Sequence, residues 1–453
     1  MNKLPRAQEH NPDAARDPGQ PPAAPSVSVV IPAWNEAATM EELLRRVRGV
    51  LEPRSRSLEI LVVVPAPDDP SAAPARAGGA RVLAQKRPGY GGALKEGLLA
   101  AAGDYVVTLD ADLSHPPETI ALLLDRREEA EVVIASRYVA GGRADMSLFR
   151  ALLSRLLNLV YGRILAVPVQ DLSSGFRIYQ RKVLDELDLE CEKYDILEEI
   201  LVKIYSRGWQ VLEIPFSYEL RAAGHSHANV VGFTPAFLST LFALWRKRNS
   251  YTSADYDSRA FDSLVLPQRW WQRRRFRLVT GMLGDRAPRL DAGCGSSRIV
   301  QSAPHSIGLD VEIAKLRFLR RTNPLLLRGS TFHLPFRDAT FAAAVSSQVI
   351  EHVPYDRALF RELNRVLRPG GILVIGTPDY ARVEWRVIEW FYKLLLPGAY
   401  GADHVTHYTR HRLLEELALA GFAIRQYRYI LGGELIVQCE KREEPAREGP
   451  LRA

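Results

Sequence analysis

From Ser26 the chain sets an apolar, β-branched run, SVSVVIP, ahead of a polar loop, AWNE, and then repeats apolar positions at Met40, Leu43, Leu44 and Val47. This predicts a buried strand followed by an amphipathic helix. Further apolar runs over Glu59–Val64 and Tyr105–Leu109 predict the second and third strands of a mainly parallel sheet, whose ligands gather at the carboxyl ends of the strands. The polar stretch NSYTSADYD, 249–257, interrupts the pattern, which then restarts. Arg289–Ala292 reads as a strand opening into the glycine turn GCG, and FAAAVSS (341–347) and ILVIGTP (372–378) as two more. Between them Leu359, Leu363, Val366 and Leu367 fall on one face of a helix over Asp356–Leu367, stopped by Pro369-Gly370-Gly371. The halves differ in motif, so the pattern is a fusion of two α/β units and not an internal repeat.

The chain has 453 residues, 25% charged and 47% hydrophobic, which fits globular domains and excludes collagen-like, coiled-coil and largely disordered classes. The expected division is a Pro/Ala-rich disordered tail over 1–25, domains over 26–248 and 249–440, and a second tail over 441–453. Three cysteines, Cys191, Cys294 and Cys439, lie far apart with no CxxC pair, a usage that fits a reducing cytosol better than a disulfide framework or a zinc site. The first residues lack the apolar core of a secretory signal. No run reaches the roughly 18 uncharged apolar residues of a spanning helix. The nearest, Asn229–Trp245, is broken by Gly232 and Pro235 and followed by Arg246-Lys247-Arg248. It is either an in-plane membrane anchor or a core helix.

A net charge of +7 on so long a chain is a weak argument for nucleic acid unless the positives cluster. QRWWQRRRFR (268–277) does cluster them, as a nucleic-acid patch, an anionic-membrane patch or a helix with its tryptophans packed inward. With the aromatic stretch WRVIEWFYKLLLPGAY (385–400) it forms a second greasy, basic surface. Together they favour peripheral contact with the inner face of a membrane from the cytoplasm, and no nucleic acid is expected.

In the first half, TLDADLSHPPE (108–118) places Asp110 and Asp112 two residues apart at a strand end, on one side of an extended turn. Two carboxylates there suit Mg²⁺ or Mn²⁺, which completes its octahedron with phosphate oxygens. The competing reading is a solvated Asx turn. Five other segments accompany the motif: VVIPAWNE, RPGYGGALKEG (87–97), the pair ASRYVAGG (135–142) and DLSSGFRIY (171–179), and EIPFSYELRAAGHS (213–226). In this order they resemble the family-2 glycosyltransferases of the dolichol- or polyprenyl-phosphate mannose synthase type.

The resemblance implies a GT-A-type nucleotide-sugar fold with Pro32, Asn35 and Glu36 at the base and ribose and the metal on Asp110 and Asp112. It gives the lipid phosphate to Arg137 and Arg150, and the donor diphosphate to Arg221 and His227. Asp171 and Arg177 are expected to brace the acceptor loop. The chain departs from the family at Val64-Pro65-Ala66-Pro67, where Asp-Asp-Gly-Ser is usual, with Asp68 and Asp69 displaced downstream. A phosphate monoester, with a second pKa near ~6, is largely dianionic at neutral pH and attacks without a base. A hydroxyl acceptor instead wants a placed carboxylate such as Asp112 or Asp171.

In the second half, RLDAGCGSSR sets Asp291, Gly293 and Gly295 at a strand end, and Asp310 closes the next strand in IGLDVE. Glycines let a ligand approach the backbone, and an acid at the next strand's end pairs with ribose hydroxyls. Arg298 stands where a dinucleotide fingerprint carries its third glycine, which disfavours a nicotinamide cofactor. HLPFRDATFAAAVSSQVIEHV (333–353), LNRVLRPGGILVIGTP (363–378) and HVTHYTRHRLLEELALAGF (404–422) resemble the class I S-adenosylmethionine-dependent methyltransferases. This resemblance implies a Rossmann-like domain with Asp291, Gly293 and Gly295 against the methionine and ribose, and Asp310 on the ribose hydroxyls. It sets Ser330 near the adenine and Ser347 or Gln348 on the methyl side. Glu351 and His352 are expected to start a helix, and His404, His407 and His411 to be solvated or acceptor-pocket histidines rather than a metal site.

The leading expectation is a bifunctional enzyme that moves a sugar from a nucleotide-diphosphate sugar to a polyprenyl phosphate or related lipid and methylates a product or partner molecule of the same pathway. Alternatives are a hydroxyl-directed glycosyltransferase joined to an active methyltransferase, an inactive glycosyltransferase-like docking module, and, most distantly, a nucleic-acid methyltransferase.

Overall fold

The computed structural model describes residues 24–145, 148–219, 234–323, 325–395 and 404–442. Nine strands belong to the first half among these: β1 Ser26–Pro32, β2 Ser57–Val64, β3 Arg81–Ala84, β4 Tyr105–Thr108, β5 Val132–Ser136, β6 Arg143–Ala144, β7 Arg177–Gln180, β8 Val211–Pro215 and β9 Ser217–Tyr218. Seven form one sheet in the order β3-β2-β1-β4-β7-β5-β8, and β6 pairs with β9 beside it. Along β1, Val27, Val29 and Ile31 enter one apolar cluster while Val30 enters the other, so the sheet is covered on both faces. That explains an unbroken apolar run where a one-sided sheet would alternate. The sheet is not wholly parallel: β7 runs antiparallel between β4 and β5. It returns the loop of residues 171–176 to the carboxyl end of β4.

The second half adds β10 Arg289–Ala292, β11 Ser306–Asp310, β12 Leu326–Arg328, β13 Phe341–Ser347, β14 Leu367–Pro378, β15 Phe422–Ile430 and β16 Glu434–Lys441, ordered β12-β11-β10-β13-β14-β16-β15. The expected helix is present as Ala358–Val366, burying Leu359, Phe360, Leu363 and Val366. Pro369-Gly370-Gly371 lies inside the entrance of β14. β16 inserts antiparallel beside β14 and carries Glu434 to the ligand-facing end of the sheet, a placement important below.

Two expectations about surface cations change. The helix Thr234–Arg248 packs on the first domain through Leu241, Leu244 and Trp245, so its described part is a core helix; 229–233 lie outside the described residues. Arg248 is fully buried, its guanidinium bonded to both carboxylate oxygens of Asp255. The proposed cationic triplet therefore spends one member inside the protein. In the helix Leu266–Leu283, Trp271 is 6% exposed and Trp270 45%. Arg275 turns inward with Trp271, which supports the inward-packed reading of that arginine-rich segment.

The domains meet through charge. Arg317 makes two hydrogen bonds to Glu186, at 2.8 and 2.6 Å, and its guanidinium lies 3.7 Å from the Trp209 ring centroid. A Cβ on Gly208, at φ +78° in the left-handed region, would stand 2.2 Å from the Ala314 carbonyl oxygen.

Candidate active sites

In the first domain the loop after β1 is set by Asn35, which holds a left-handed φ of +58°. Its amide faces the Asp69 carboxylate at 3.3 Å, and the Glu36 amide donates to Ser71 Oγ at 2.9 Å. The acids displaced in sequence are thus half restored in space: Asp69 reaches the Pro32–Glu36 loop although the strand end itself reads Val64-Pro65. Asp68 is exposed beside it.

At the end of β4 the two aspartates differ. Asp110 keeps 33% of its side chain exposed and faces the Tyr90 hydroxyl at 3.4 Å. Asp112 is 3% exposed, and its Oδ1 accepts from the amide and hydroxyl of Ser114 at 3.0 and 2.5 Å. The pair does not present two equally open carboxylates, because the Asx turn claims one oxygen of Asp112. Both remain oxygen donors of the kind Mg²⁺ or Mn²⁺ prefers, and Asp110 is the more outward of the two. His115, which the sequence reading passed over, accepts the Asp110 amide on Nδ1 at 3.0 Å and stacks on Phe176. Burial pushes its pKa below the usual value, so the ring is neutral with its proton on Nε2.

The loop of residues 171–176 is held by Asp171 and Arg177 through separate partners. Arg137 is held by Asp171 through Nε at 2.8 Å and Nη2 at 2.7 Å, and Asp171 is fully buried. Arg177 does not join them; its guanidinium caps the carbonyls of Leu172, Ser174 and Leu197. Tyr138 donates to Ser154 Oγ at 2.7 Å, tying this loop to the helix Leu148–Ile164. That helix exposes Leu152, Leu156, Leu159 and Val160, spaced as one face. The side chain of Arg150, and all of Arg221 and His227, lie outside the described residues.

In the second domain a cavity of about 580 Å³ opens at the carboxyl ends of β10, β11 and β13. Gly293 and Gly295 take positive φ of +80° and +52°. A Cβ at Gly293 would lie 2.4 Å from Val349, and one at Gly295 would lie 2.7 Å from Asp257. Only glycine fits these two corners. The Gly295 amide donates to Asp310 Oδ2 at 2.7 Å, and Asp310 Oδ1 accepts from the Glu312 amide at 2.8 Å. Ser330, Ser347 and Gln348 all line the cavity. Asp291 Oδ2 and Ser347 Oγ are buried without a hydrogen-bond partner in the protein, as expected of groups that wait for a ligand's polar atoms. Burial, with Asp310 nearby, raises the Asp291 pKa to about 8.

Three contributors escaped the sequence reading. Asp257, from the polar stretch 249–257, accepts the Ser296 amide and hydroxyl at 3.1 Å and so fixes the glycine turn. Tyr251 of the same stretch lines the cavity. Glu434 is fully buried and gathers Arg275 (2.5 and 2.9 Å), Gln348 (3.2 Å) and the Trp271 indole N–H. The GCG turn flags its neighbourhood, but no local signal points to an acid 140 residues on. Glu351 and His352 sit in a turn and start no helix, since the next begins at Ala358. His404 lines the cavity, His407 stacks on Tyr380 and His411 is exposed, so the three do not converge.

Comparison with known proteins bears on both halves. Residues 28–188 match the family model Glycosyl transferase family 2, and residues 290–375 match the model Methyltransferase domain. A dolichol-phosphate mannosyltransferase of Pyrococcus furiosus is 34% identical over 215 residues, covering 44% of this chain and 58% of its own. An undecaprenyl-phosphate 4-deoxy-4-formamido-L-arabinose transferase of Salmonella choleraesuis is 33% identical over 213 residues, 45% of this chain and 63% of its own. The chain thus spans about 60% of the length of these curated relatives. A crystal structure of glucosyl-3-phosphoglycerate synthase from Mycobacterium tuberculosis with Mn²⁺, UDP and product is 23% identical, with a TM-score of 0.41 over 49% of this chain and 80% of that one. The chain carries a glycosyl transferase family 2 domain followed by a methyltransferase domain.

Proposed function

We propose that the N-terminal domain transfers a sugar from a nucleotide diphosphate to a polyprenyl phosphate or related lipid, and that the C-terminal domain uses S-adenosylmethionine to methylate that product or a molecule of the same pathway. The observation that carries the lipid acceptor is the helix Leu148–Ile164. Its exposed leucines sit on the element that Ser154 bonds to the Arg137–Tyr138 loop, so an apolar surface adjoins the phosphate-handling arginine. An anionic lipid headgroup meets both at once.

In this reading Asp110, backed by Asp112, holds Mg²⁺ or Mn²⁺, which neutralises the leaving diphosphate. Pro32, Asn35 and Glu36, with Asp69 beside them, take the nucleotide, and the lipid phosphate goes to Arg137 and Arg150. Arg221 and His227 complete the donor side. The dianionic acceptor needs no base. Of the two carboxylates a hydroxyl acceptor could use as a base, Asp171 is committed to Arg137 and Asp112 is buried with one oxygen on Ser114, which weighs against a hydroxyl-directed enzyme. Asp69 at the Asn35 loop weighs against an emptied nucleotide pocket and hence against a docking module. In the second domain Asp291, Gly293 and Gly295 hold the methionine and ribose, Asp310 the ribose hydroxyls, Ser330 the adenine edge, and Ser347 and Gln348 the methyl side. No helix among the described residues is long and apolar enough to cross a membrane. Peripheral attachment to the inner face, through the exposed leucines, follows from this reading.

The test incubates the full chain with labelled nucleotide sugars, polyprenyl phosphate vesicles and Mg²⁺ or Mn²⁺, with and without S-adenosylmethionine. The expected product is a sugar-lipid, gaining one methyl mass when the methyl donor is present. Asp110→Ala should lower sugar transfer by about 10²–10³-fold while methyl-donor binding persists. Absence of any sugar-lipid from every donor, or an Asp110→Ala protein of full activity, sinks the reading.

A further inference from the structure

Past Ser347 and Gln348 the cavity wall continues to His352 and His404, and the buried carboxylate of Glu351 lies behind them. One ligand-capable atom from each of Glu351, His352 and His404 falls within 4.8 Å of the other two. The three come from two loops more than fifty residues apart in sequence. Those loops are fastened together: the Thr406 amide donates to the Glu351 carbonyl at 3.1 Å, and the Thr406 hydroxyl to the Val353 carbonyl at 2.7 Å. This is a mounted cluster and not a chance meeting of surface side chains.

We propose that Glu351, His352 and His404 form a divalent transition-metal site at the acceptor end of the methyltransferase cavity, of the class that takes Zn²⁺, Co²⁺ or Mn²⁺. Glu351 is fully buried. Its Oε2 accepts from the Thr377 hydroxyl at 3.1 Å, while its Oε1 is buried with no hydrogen-bond partner. A carboxylate oxygen in that state costs several kcal/mol unless a cation or proton meets it. His404 is oriented from behind, because its Nδ1 bonds the Tyr380 hydroxyl, which directs ligation to Nε2. Thr377 on the carboxylate and Tyr380 on the imidazole are the outer-shell partners that metal ligands characteristically carry. Two imidazoles and one carboxylate suit zinc and its neighbours and leave coordination positions open. With metal–ligand bonds of about 2.0–2.2 Å, ligand atoms stand about 3.3 Å apart. Closing from a spacing of at most 4.8 Å therefore takes a shift of no more than about 1.5 Å, which exposed His352 is the best placed to make.

The open positions face the cavity, so the ligand they suit is an acceptor hydroxyl, such as one of a vicinal pair on a sugar. This part rests on the methyl-transfer reading above. The hydroxyl gives its proton to water; its oxygen forms the new bond to the methyl carbon. The carbon–sulfur bond breaks with its electron pair going to sulfur, leaving a neutral thioether. The ion's share is to make that proton easier to lose and to aim the oxygen.

The test is run without any acceptor, so that the site and the acceptor assignment fail separately. Full-length protein carrying Asp110→Asn and Asp112→Asn, which removes the N-terminal carboxylates, is titrated with CoCl₂ by visible absorption and with ZnCl₂ by calorimetry. One equivalent of Co²⁺ should bind with d–d bands of a four- or five-coordinate ion. His352→Ala and His404→Ala should each weaken binding at least ~10-fold in proteins whose thermal melt and circular dichroism show a folded chain; exposed His352 makes its variant the safer control for folding. No saturable uptake in the parent, or equal uptake in parent and both histidine variants, overturns the site.

Discussion

The two sites are built in opposite ways. In the N-terminal domain the contacts that fix the site span at most 34 residues: Asp112 with Ser114, Arg177 with the carbonyls of Leu172, Ser174 and Leu197, Asn35 with Asp69, and Arg137 with Asp171 of the facing loop. The site lies at the carboxyl ends of the central strands β1 and β4, with a partly exposed Asp110 at its centre. In the C-terminal domain the cavity also depends on a partner 159 and 163 residues away, Glu434 against Arg275 and Trp271, besides Asp257 against Ser296. An open site at strand ends suits bulky, charged substrates that arrive from outside. An enclosed one suits a reaction at a sulfonium, where water must be kept away.

The sharpest way to break this contrast is at Glu434. Removing it strands a guanidinium, 15% exposed, in the wall of the cavity, and breaking a buried ion pair by deleting one partner costs about 3–5 kcal/mol. Glu434→Ala should therefore lower the melting temperature of the C-terminal domain and weaken methyl-donor binding, while sugar transfer in the N-terminal domain continues. Calorimetric melting with and without S-adenosylmethionine reads the first effect, and the sugar-lipid assay the second. Equal loss of both activities would show that the halves are not separately closed.

A smaller effect is expected from pH. Asp291 is raised by burial, with Asp310 adding to it, to about 8 in the folded protein, against an ordinary aspartate value of about 4. A raised acid favours folding in its protonated form. Its contribution is fully present below pH ~4 and is lost as pH climbs toward 8. The cationic methyl donor reverses the preference, since it binds best beside the carboxylate. Binding below pH 8 must then expel a proton, and affinity should fall by up to ~10-fold for each unit of acidification. Calorimetry between pH 6 and 8, in buffers of different ionisation heat, measures both the affinity and the proton. Asp291→Asn should flatten the profile; a wild-type profile already flat would return Asp291 to a purely structural role.

The contrast also explains what the sequence made legible. Periodicity located the strands around which both sheets form, because a sheet covered on both faces leaves continuous apolar runs. The glycine turn showed itself because Gly293 and Gly295 occupy corners no Cβ fits, and Asp310 because it ends the adjacent strand. Asp69 was harder: read along the chain it is displaced, and only the fold of the loop returns it to Asn35. Glu434, Asp257 and Tyr251 carry no local pattern at all, since an acid on a late strand looks like any solvated acid until β16 inserts beside β14. The arginine-rich segment misled for the same reason. Its charge is visible in the sequence, but the partner that turns Arg275 inward is not.

The least effect is expected where the domains touch. Arg317 joins Glu186 at 2.8 and 2.6 Å and lies 3.7 Å from the Trp209 ring centroid, yet the two charged side chains are still 16% and 31% exposed. Such a pair is worth about 1 kcal/mol or less, with a comparable cation–π share, and salt screens it. If the sites are closed independently, Arg317→Ala should leave the methyl-donor dissociation constant and the rate of sugar transfer within about twofold, which 1 kcal/mol bounds at roughly fivefold. A double-mutant cycle with Glu186→Ala should give a coupling below ~1 kcal/mol that shrinks in 1 M salt. A tenfold change in either activity would mean that this small polar contact carries information between the sites, and the two halves would then have to be treated as one catalytic unit.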